Sequence, residues 1–246
     1  TQTITPSPGT VGTSQISPSL TNVPFFGGST IGAGNATGMK NRIINGGMVL
    51  DQRNGGASIS VSAGGNGYPV DRFHIHNRTG TGVFSGQQTT ASVPVGYTNV
   101  LSVTTTTAQA SLGSTEYGSL RHSIEGFNTA DFNWGTANAK TVTLSFWVRS
   151  SLTGSFGGSL VNTAFNRSYP FAYTISTADA WQKISLTIVG DTSGSWATNN
   201  TTGIHVFFGL GAGSTYSGPA GAWAGATYYS ATGATSVVGT AGATFY

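Results

Sequence analysis

The sequence predicts an all-β fold, a β-sandwich of jelly-roll topology, preceded by an extended N-terminal connector. Three observations carry that expectation. Apolar residues recur at period two in several segments, the spacing of a strand with one buried face. Turn material rich in Gly, Asn and Ser separates those segments. Surface helix formers are scarce, because only 7% of the residues are charged, against roughly 25% in an ordinary soluble domain.

The connector comes first. Residues 1–40 hold Pro6, Pro8, Pro18 and Pro24, half of the eight prolines, and no charge before Lys40. Proline removes backbone donors and resists helix, so the segment reads as extended. Within it, Gly9-Thr10-Val11-Gly12-Thr13-Ser14-Gln15-Ile16 alternates small polar residues with single apolar ones. Such a segment orders by packing on another domain or on copies of itself.

Residues 41–246 form the sandwich. The alternation is clearest in Thr141–Arg149, where Val142, Leu144, Phe146 and Val148 share one face, and it repeats in Lys183–Ile188 and Ile204–Leu210. Arg42–Leu50, Asp71–His76, Ala91–Thr104, Ser119–Glu125 and Thr240–Tyr246 read as further strands. Asn54-Gly55-Gly56, Gly64-Gly65-Asn66-Gly67 and Gly190-Asp191-Thr192-Ser193-Gly194 read as turns. Many short strands with such punctuation point to a jelly roll. An aromatic content of 11%, with five Trp and 13 Phe, excludes disorder.

Composition also excludes several functions. The net charge is +3, and the ten Lys and Arg are scattered from Lys40 to Lys183, so no basic track fits a nucleic acid. With so few ions, surface contacts are expected to depend weakly on salt. No apolar run reaches the ~18–20 residues of a membrane span, so no membrane insertion is expected. Cysteine is absent, which removes disulfides and thiolate metal sites. Folding in a reducing cytoplasm and work outside the cell would reconcile that absence with a sandwich. The first residue is Thr1, which leads us to expect a processed chain or a piece of a longer one.

Catalytic parts run short, and no enzyme, catalytic residue or cofactor is expected. Glycoside hydrolysis needs two facing carboxylates, and Glu116 and Glu125 are the only glutamates. Glu125 sits in a strand pattern that suits a surface ion pair. A Gly-x-Ser-x-Gly elbow in a strand-turn-helix setting is missing. Gly209-Leu210-Gly211-Ala212-Gly213 lacks the Lys-Ser/Thr pair and the following helix of a phosphate loop.

His74-Ile75-His76 is the sharpest metal candidate, since both imidazoles of a strand point to one face. Two histidines do not complete a site, so both are expected on a solvated face opposite Phe73 and Ile75. Asp71, Asp131, Asp179 and Asp191 are too dispersed for calcium. Aromatic platforms for sugars remain. Trp147 points away from the apolar face of its strand and Trp181 opens another. Trp134, Trp196 and Trp223 stand near Gly-rich turns, with Tyr216, Tyr228 and Tyr229 nearby in sequence. Tyr216, Trp223 and Trp196 are the candidate carbohydrate-binding residues, because aromatic faces stack on sugar rings and loop positions favour recognition. The competing role of such side chains is to seal the ends of the core.

Several pieces carry a family resemblance: Asn41-Arg42-Ile43-Ile44-Asn45-Gly46-Gly47-Met48, Tyr68-Pro69-Val70-Asp71-Arg72-Phe73, Thr141–Ser150, Gly190–Trp196, Phe208–Ser214 and Gly242-Ala243-Thr244-Phe245-Tyr246. In order and spread they resemble the C-terminal domain of tailed-phage tail-fibre and virion structural proteins. The resemblance implies a carbohydrate-binding-module-like jelly roll, a homotrimer, contacts to other virion proteins through residues 1–40, and a virion location. It implies host attachment through a surface glycan as the leading function. The alternatives are a structural capsid or tail decoration protein without receptor binding, and a secreted carbohydrate-binding module. Trp147 and Trp196 fall inside the shared pieces, which favours a structural role for them. The family pattern continues past a Phe-Tyr strand, so a closing strand is expected beyond Tyr246.

Overall fold

The computed structural model describes residues 40–246; the expected connector lies outside the described residues up to its last position. Fourteen strands follow one another among the described residues. They are β1 (Ile59–Val61), β2 (Asn66–Val70), β3 (Phe73–Arg78), β4 (Val83–Thr89), β5 (Val100–Thr107), β6 (Tyr117–Glu125) and β7 (Val142–Val148). The chain continues with β8 (Gly154–Asn162), β9 (Ser168–Ile175), β10 (Gln182–Ile188), β11 (Thr202–Ala212), β12 (Ser217–Gly218), β13 (Ser230–Ala231) and β14 (Thr244–Phe245). Helical structure among these residues amounts to two 3₁₀ turns, Gly126–Asn128 and Ala130–Phe132.

The large sheet has the order β2-β3-β6-β11-β8-β9, antiparallel throughout. Opposite it stand β1-β4-β5-β14 and the pair β7-β10. These two groups meet at β14, where Phe245 bridges Ser150 and the Tyr246 N–H donates to the Arg149 carbonyl at 2.9 Å. β4 and β5, like β7 and β10, alternate with strands of the large sheet in chain order, as in a jelly roll.

One apolar core fills the space between the layers. Phe73, Ile75, Leu120, Ile124, Val206 and Phe171 of the large sheet meet Phe84, Val103, Leu144, Val148, Ile188 and Phe245 of the other layer. The alternation of β7 and β10 is what the sequence predicts: Leu144 and Val148 are buried while Thr143 and Ser145 are exposed, and Trp147 lies on the opposite face, paired with Lys183.

Three expected strands change. Arg42–Leu50 is a run of turns, because Asn45 (φ 59°) and Met48 (φ 53°) adopt the left-handed conformation, and the Asn45 side chain clamps both the N–H and the carbonyl of Leu50. The segment Ala91–Thr104 becomes strand only at Val100, after Ser92 and Gly96 turn with positive φ. Thr240–Tyr246 narrows to the two residues of β14.

Strands β1, β2, β4, β8, β9, β12 and β13 escape the pattern search. β8 is buried on both faces from Phe156 onward, so it does not alternate, whereas β9 alternates only from Phe171 to Ile175, with Ala172 and Thr174 exposed. Segment 229–231 lies on the outer face of β8 and β11, where Gly157 and Gly209 leave room for it: a Cβ at either would meet Ser230 Oγ at 2.5 Å. A small second core of Val161, Phe207 and Tyr229 forms beneath that segment.

Candidate functional site

The three expected sugar-contact residues separate into two places. Trp196 and Trp223 join Trp134 in an edge-to-face cluster, with ring centroids 4.9–5.3 Å apart. Each indole N–H is satisfied by a backbone carbonyl: Trp134 by Lys140, Trp196 by Ser193 and Trp223 by Val189. Trp134 is buried in the main core, and the other two pack against it. A cavity of about 130 Å³ opens beside Trp134 and Trp196, lined also by Thr129, Asn133 and Thr136. This cluster seals one end of the sandwich.

Tyr216 lies elsewhere, beside the outer face of the large sheet. It stacks on Tyr229 at 4.9 Å and meets the edge of Tyr117 at 5.0 Å. These three tyrosines form one wall. A second wall rises from β2, where Tyr68 stacks on His74 at 4.3 Å and Arg53 covers the other face of Tyr68 at 4.6 Å. The floor between them belongs to β3, β6 and β11. The register pairs His74 with Arg121 and His76 with Ser119 across β3 and β6, and Arg121 with Phe207 and Ser123 with His205 across β6 and β11. Paired residues share a face, so a row of His74, Arg121 and Phe207 crosses three strands, with His76, Ser119, Ser123 and His205 beside it.

Arg121 is the centre of that row. Its Nη2 donates to His74 Nδ1 at 3.2 Å, and its carbon lies 5.8 Å from the Phe207 ring centroid. Burial lowers its pKa, while the neighbouring hydroxyls of Tyr68, Tyr117 and Tyr229 act in the opposite sense. A guanidinium only donates. His74 Nδ1 therefore accepts, and the His74 proton sits on Nε2, 3.3 Å from Asn66 Oδ1. His74 is neutral in this network. Burial, then Arg121, push its pKa down to about 4, and the same causes hold His76 and His205 at about 3. His205 Nδ1 pairs with Ser123 Oγ at 2.8 Å. Three buried polar atoms of this face have no partner among the described residues: His76 Nε2, Ser119 Oγ and Arg121 Nε.

His74 and His76 do share a face opposite Phe73 and Ile75, but His74 is 7% exposed and the face is half-covered, not solvated. Their rings touch edge-on at 4.1 Å. Among the described residues no group of three or more His, Asp or Glu side chains is placed to hold a metal ion. The carboxylates are committed elsewhere. Asp71, Glu125, Asp131, Asp179 and Asp191 pair with Arg53, Arg72, Arg42, Arg149 and Arg167. Asp51 accepts backbone N–H groups of Asn54 and Gly56, and Glu116 those of Gly113 and the Gln109 amide. The arrangement on the sheet face can bind and orient a polar ring, and it offers no carboxylate for proton transfer. Pattern reading finds His74, His76 and Tyr216; Arg121, Ser123 and His205 join them only through strand register.

No protein-family model matches the chain, and no curated protein matches it. Among solved structures it is similar to one described as "CBM4 structure and function", at 16% identity and a TM-score of 0.38, over 82% of this chain and 94% of that one. It is also similar to the family 11 carbohydrate-binding module from Clostridium thermocellum in complex with a β-1,3-1,4-mixed-linked tetrasaccharide, at 14% identity and a TM-score of 0.33, over 58% of this chain and 88% of that one. At such scores neither likeness adds to what the strand order gives. The strand order gives an all-β sandwich of the jelly-roll type.

Proposed function

We propose that this chain is a non-catalytic glycan-binding module, and that the outer face of β2-β3-β6-β11 is its binding surface. One observation carries the reading: two tyrosine-bearing walls, Tyr68 and Tyr117/Tyr216/Tyr229, flank a floor of fixed donors and acceptors that the fold leaves unused. Aromatic walls and a few oriented polar groups are what recognition of a sugar ring requires. Strands hold Tyr68, Tyr117 and the floor in place, while Tyr216 and Tyr229 stand in the loops just before β12 and β13. Tyr216 has Tyr229 behind one face of its ring, which leaves the other for stacking.

We place the module in a phage tail fibre or similar virion appendage, as a trimer anchored through residues 1–40. Support for that setting comes from the ordered sequence pieces between Asn41 and Tyr246, the uncharged surface and the lack of cysteine. A capsid or tail decoration protein would use the same fold without binding host sugars.

Glycan-array binding by the intact chain is the test, with Tyr216→Ala and Trp196→Ala compared. Tyr216→Ala should weaken binding about ten-fold or more, consistent with the loss of one stacking contact. Trp196→Ala should lower stability and leave the affinity of the folded protein within about two-fold. No binding to any glycan would overturn the reading in favour of the decoration role. A monomer by light scattering would count against the fibre setting alone.

A further inference from the structure

We infer that the glycan taken by this face is acidic, a saccharide carrying carboxylate or sulfate groups, and that the guanidinium of Arg121 receives its charge. The inference rests on the glycan-binding reading and names the ligand class for that site. It starts from how the seven arginines are neutralised. Arg42, Arg53, Arg72, Arg149 and Arg167 each face a carboxylate within 3.4 Å. Arg78 is held by the carbonyls of Gly64, Gly65 and Asn77 at 2.7–3.2 Å. Among the described residues, Arg121 has neither. Its partner is a neutral imidazole, which supplies a lone pair and no negative charge.

A half-buried guanidinium cannot shed its proton, so its desolvation is left uncompensated by the fold. Every acidic side chain is already engaged elsewhere, so none is free to swing across. The surroundings add to the bias. The charges that act on His74 are Arg121, Arg78 and Arg53, all positive. Of these only Arg53 has a carboxylate, Asp71, at 3.4 Å. The open end of Arg121 also suits an anion. Among the described residues Nη2 is tied to His74, Nε is buried without a partner and Nη1 makes no hydrogen bond, which leaves Nη1 as the free donor of the guanidinium. A carboxylate or sulfate seated there would accept a charge-assisted bond from Nη1, with Tyr216 beside the ring that carries it.

The test uses the intact chain on an array of neutral, uronic-acid, sialylated and sulfated oligosaccharides, followed by calorimetry with the best acidic ligand and its carboxyl-reduced or desulfated counterpart. Acidic members should bind at least about ten-fold tighter than their neutral counterparts, with affinity falling as salt rises. Arg121→Gln should remove that preference while keeping residual affinity for the neutral ring. Which acidic group wins on the array decides between carboxylate and sulfate. Equal affinity for acidic and neutral counterparts, or an acidic preference that survives in R121Q, overturns the inference and leaves the glycan-binding reading standing. Binding to no glycan at all overturns both. Should R121Q fail to fold, thermal shifts of the unaltered chain decide: stabilisation by the acidic oligosaccharide alone supports the inference, and equal stabilisation by its neutral counterpart overturns it.

Discussion

At the residue scale, charge is used sparingly and nearly always in pairs, and the pair that matters most to the fold is Arg167–Asp191. Asp191 is almost fully buried and takes two parallel bonds, from Nε at 2.8 Å and from Nη2 at 2.6 Å. The bond to Asp191 raises the pKa of Arg167. The same carboxylate accepts the Ser193 N–H at 3.0 Å, and the Asp191 carbonyl accepts the N–H of Gly135 at 2.7 Å. One side chain thus fixes the loop that delivers Trp196 to Trp134. Asp191→Ala should cost about 3–5 kcal/mol, because it strands a partly buried guanidinium. Urea unfolding checks this: the midpoint should fall with an unchanged slope, and a shift under about 1 kcal/mol would show the pair to be dispensable. Sequence alone reads Gly190–Gly194 as a turn and Asp191 as one dispersed oxygen. Its partner lies 24 positions away, and no local period encodes that distance. Arg121 is hidden for the same reason. Its alternating strand is legible, but its lack of a counter-charge becomes visible only once every carboxylate has been assigned to another arginine or to backbone.

At the scale of elements, legibility follows how many faces a strand buries. β7 and β10 bury one face each and are plain in the sequence as Val142/Leu144/Phe146/Val148 and Ile184/Leu186/Ile188. β8, Gly154–Asn162, resembles a Gly-rich loop instead. Gly157 makes room for segment 229–231 on one side, while Phe156 and Leu160 serve the core on the other. β14 shows how much two residues can do. Thr244 pairs with Thr104 on one flank, and its carbonyl accepts from the Ser151 N–H and Ser150 Oγ on the other. Phe245 is 2% exposed and stacks 6.1 Å from Phe156 of the facing sheet. Phe245→Ala should therefore destabilise by about 3–5 kcal/mol, the cost of a large core cavity. Removing residues 243–246 should do more, since the free flanks of β5 and β7 become open edges. Thermal unfolding with light scattering would register a lowered midpoint followed by aggregation. A truncated chain that unfolds reversibly at the original temperature would show that β14 does not join the two groups.

At the scale of the molecule, the scarcity of charge makes the four histidines decisive for pH response. Burial is the largest influence on each and holds His74 and His122 at about 4 and His76 and His205 at about 3. The surrounding charges are mostly arginines: Arg121, Arg78 and Arg53 on the outer face, and Arg72 beside His122, where Glu125 pulls weakly the other way. In the unfolded chain the same residues titrate near 6.5. Between about pH 6.5 and 4 the unfolded state therefore binds protons that the folded state refuses, and stability falls as pH falls. Above that window the imidazoles are neutral in both states and contribute no slope. Each histidine removes up to about 1.4 kcal/mol per pH unit inside the window, so several together can exceed the reserve of an ordinary domain. Urea midpoints should be level from pH 8 to 7 and drop steeply between pH 6 and 4.5. His76→Asn and His205→Asn should each flatten that drop, whatever they do to stability at pH 8. A midpoint unchanged down to pH 4.5 would mean that the sheet face accepts protons freely, and that its histidines are not the neutral, arginine-facing groups the hydrogen-bond network requires.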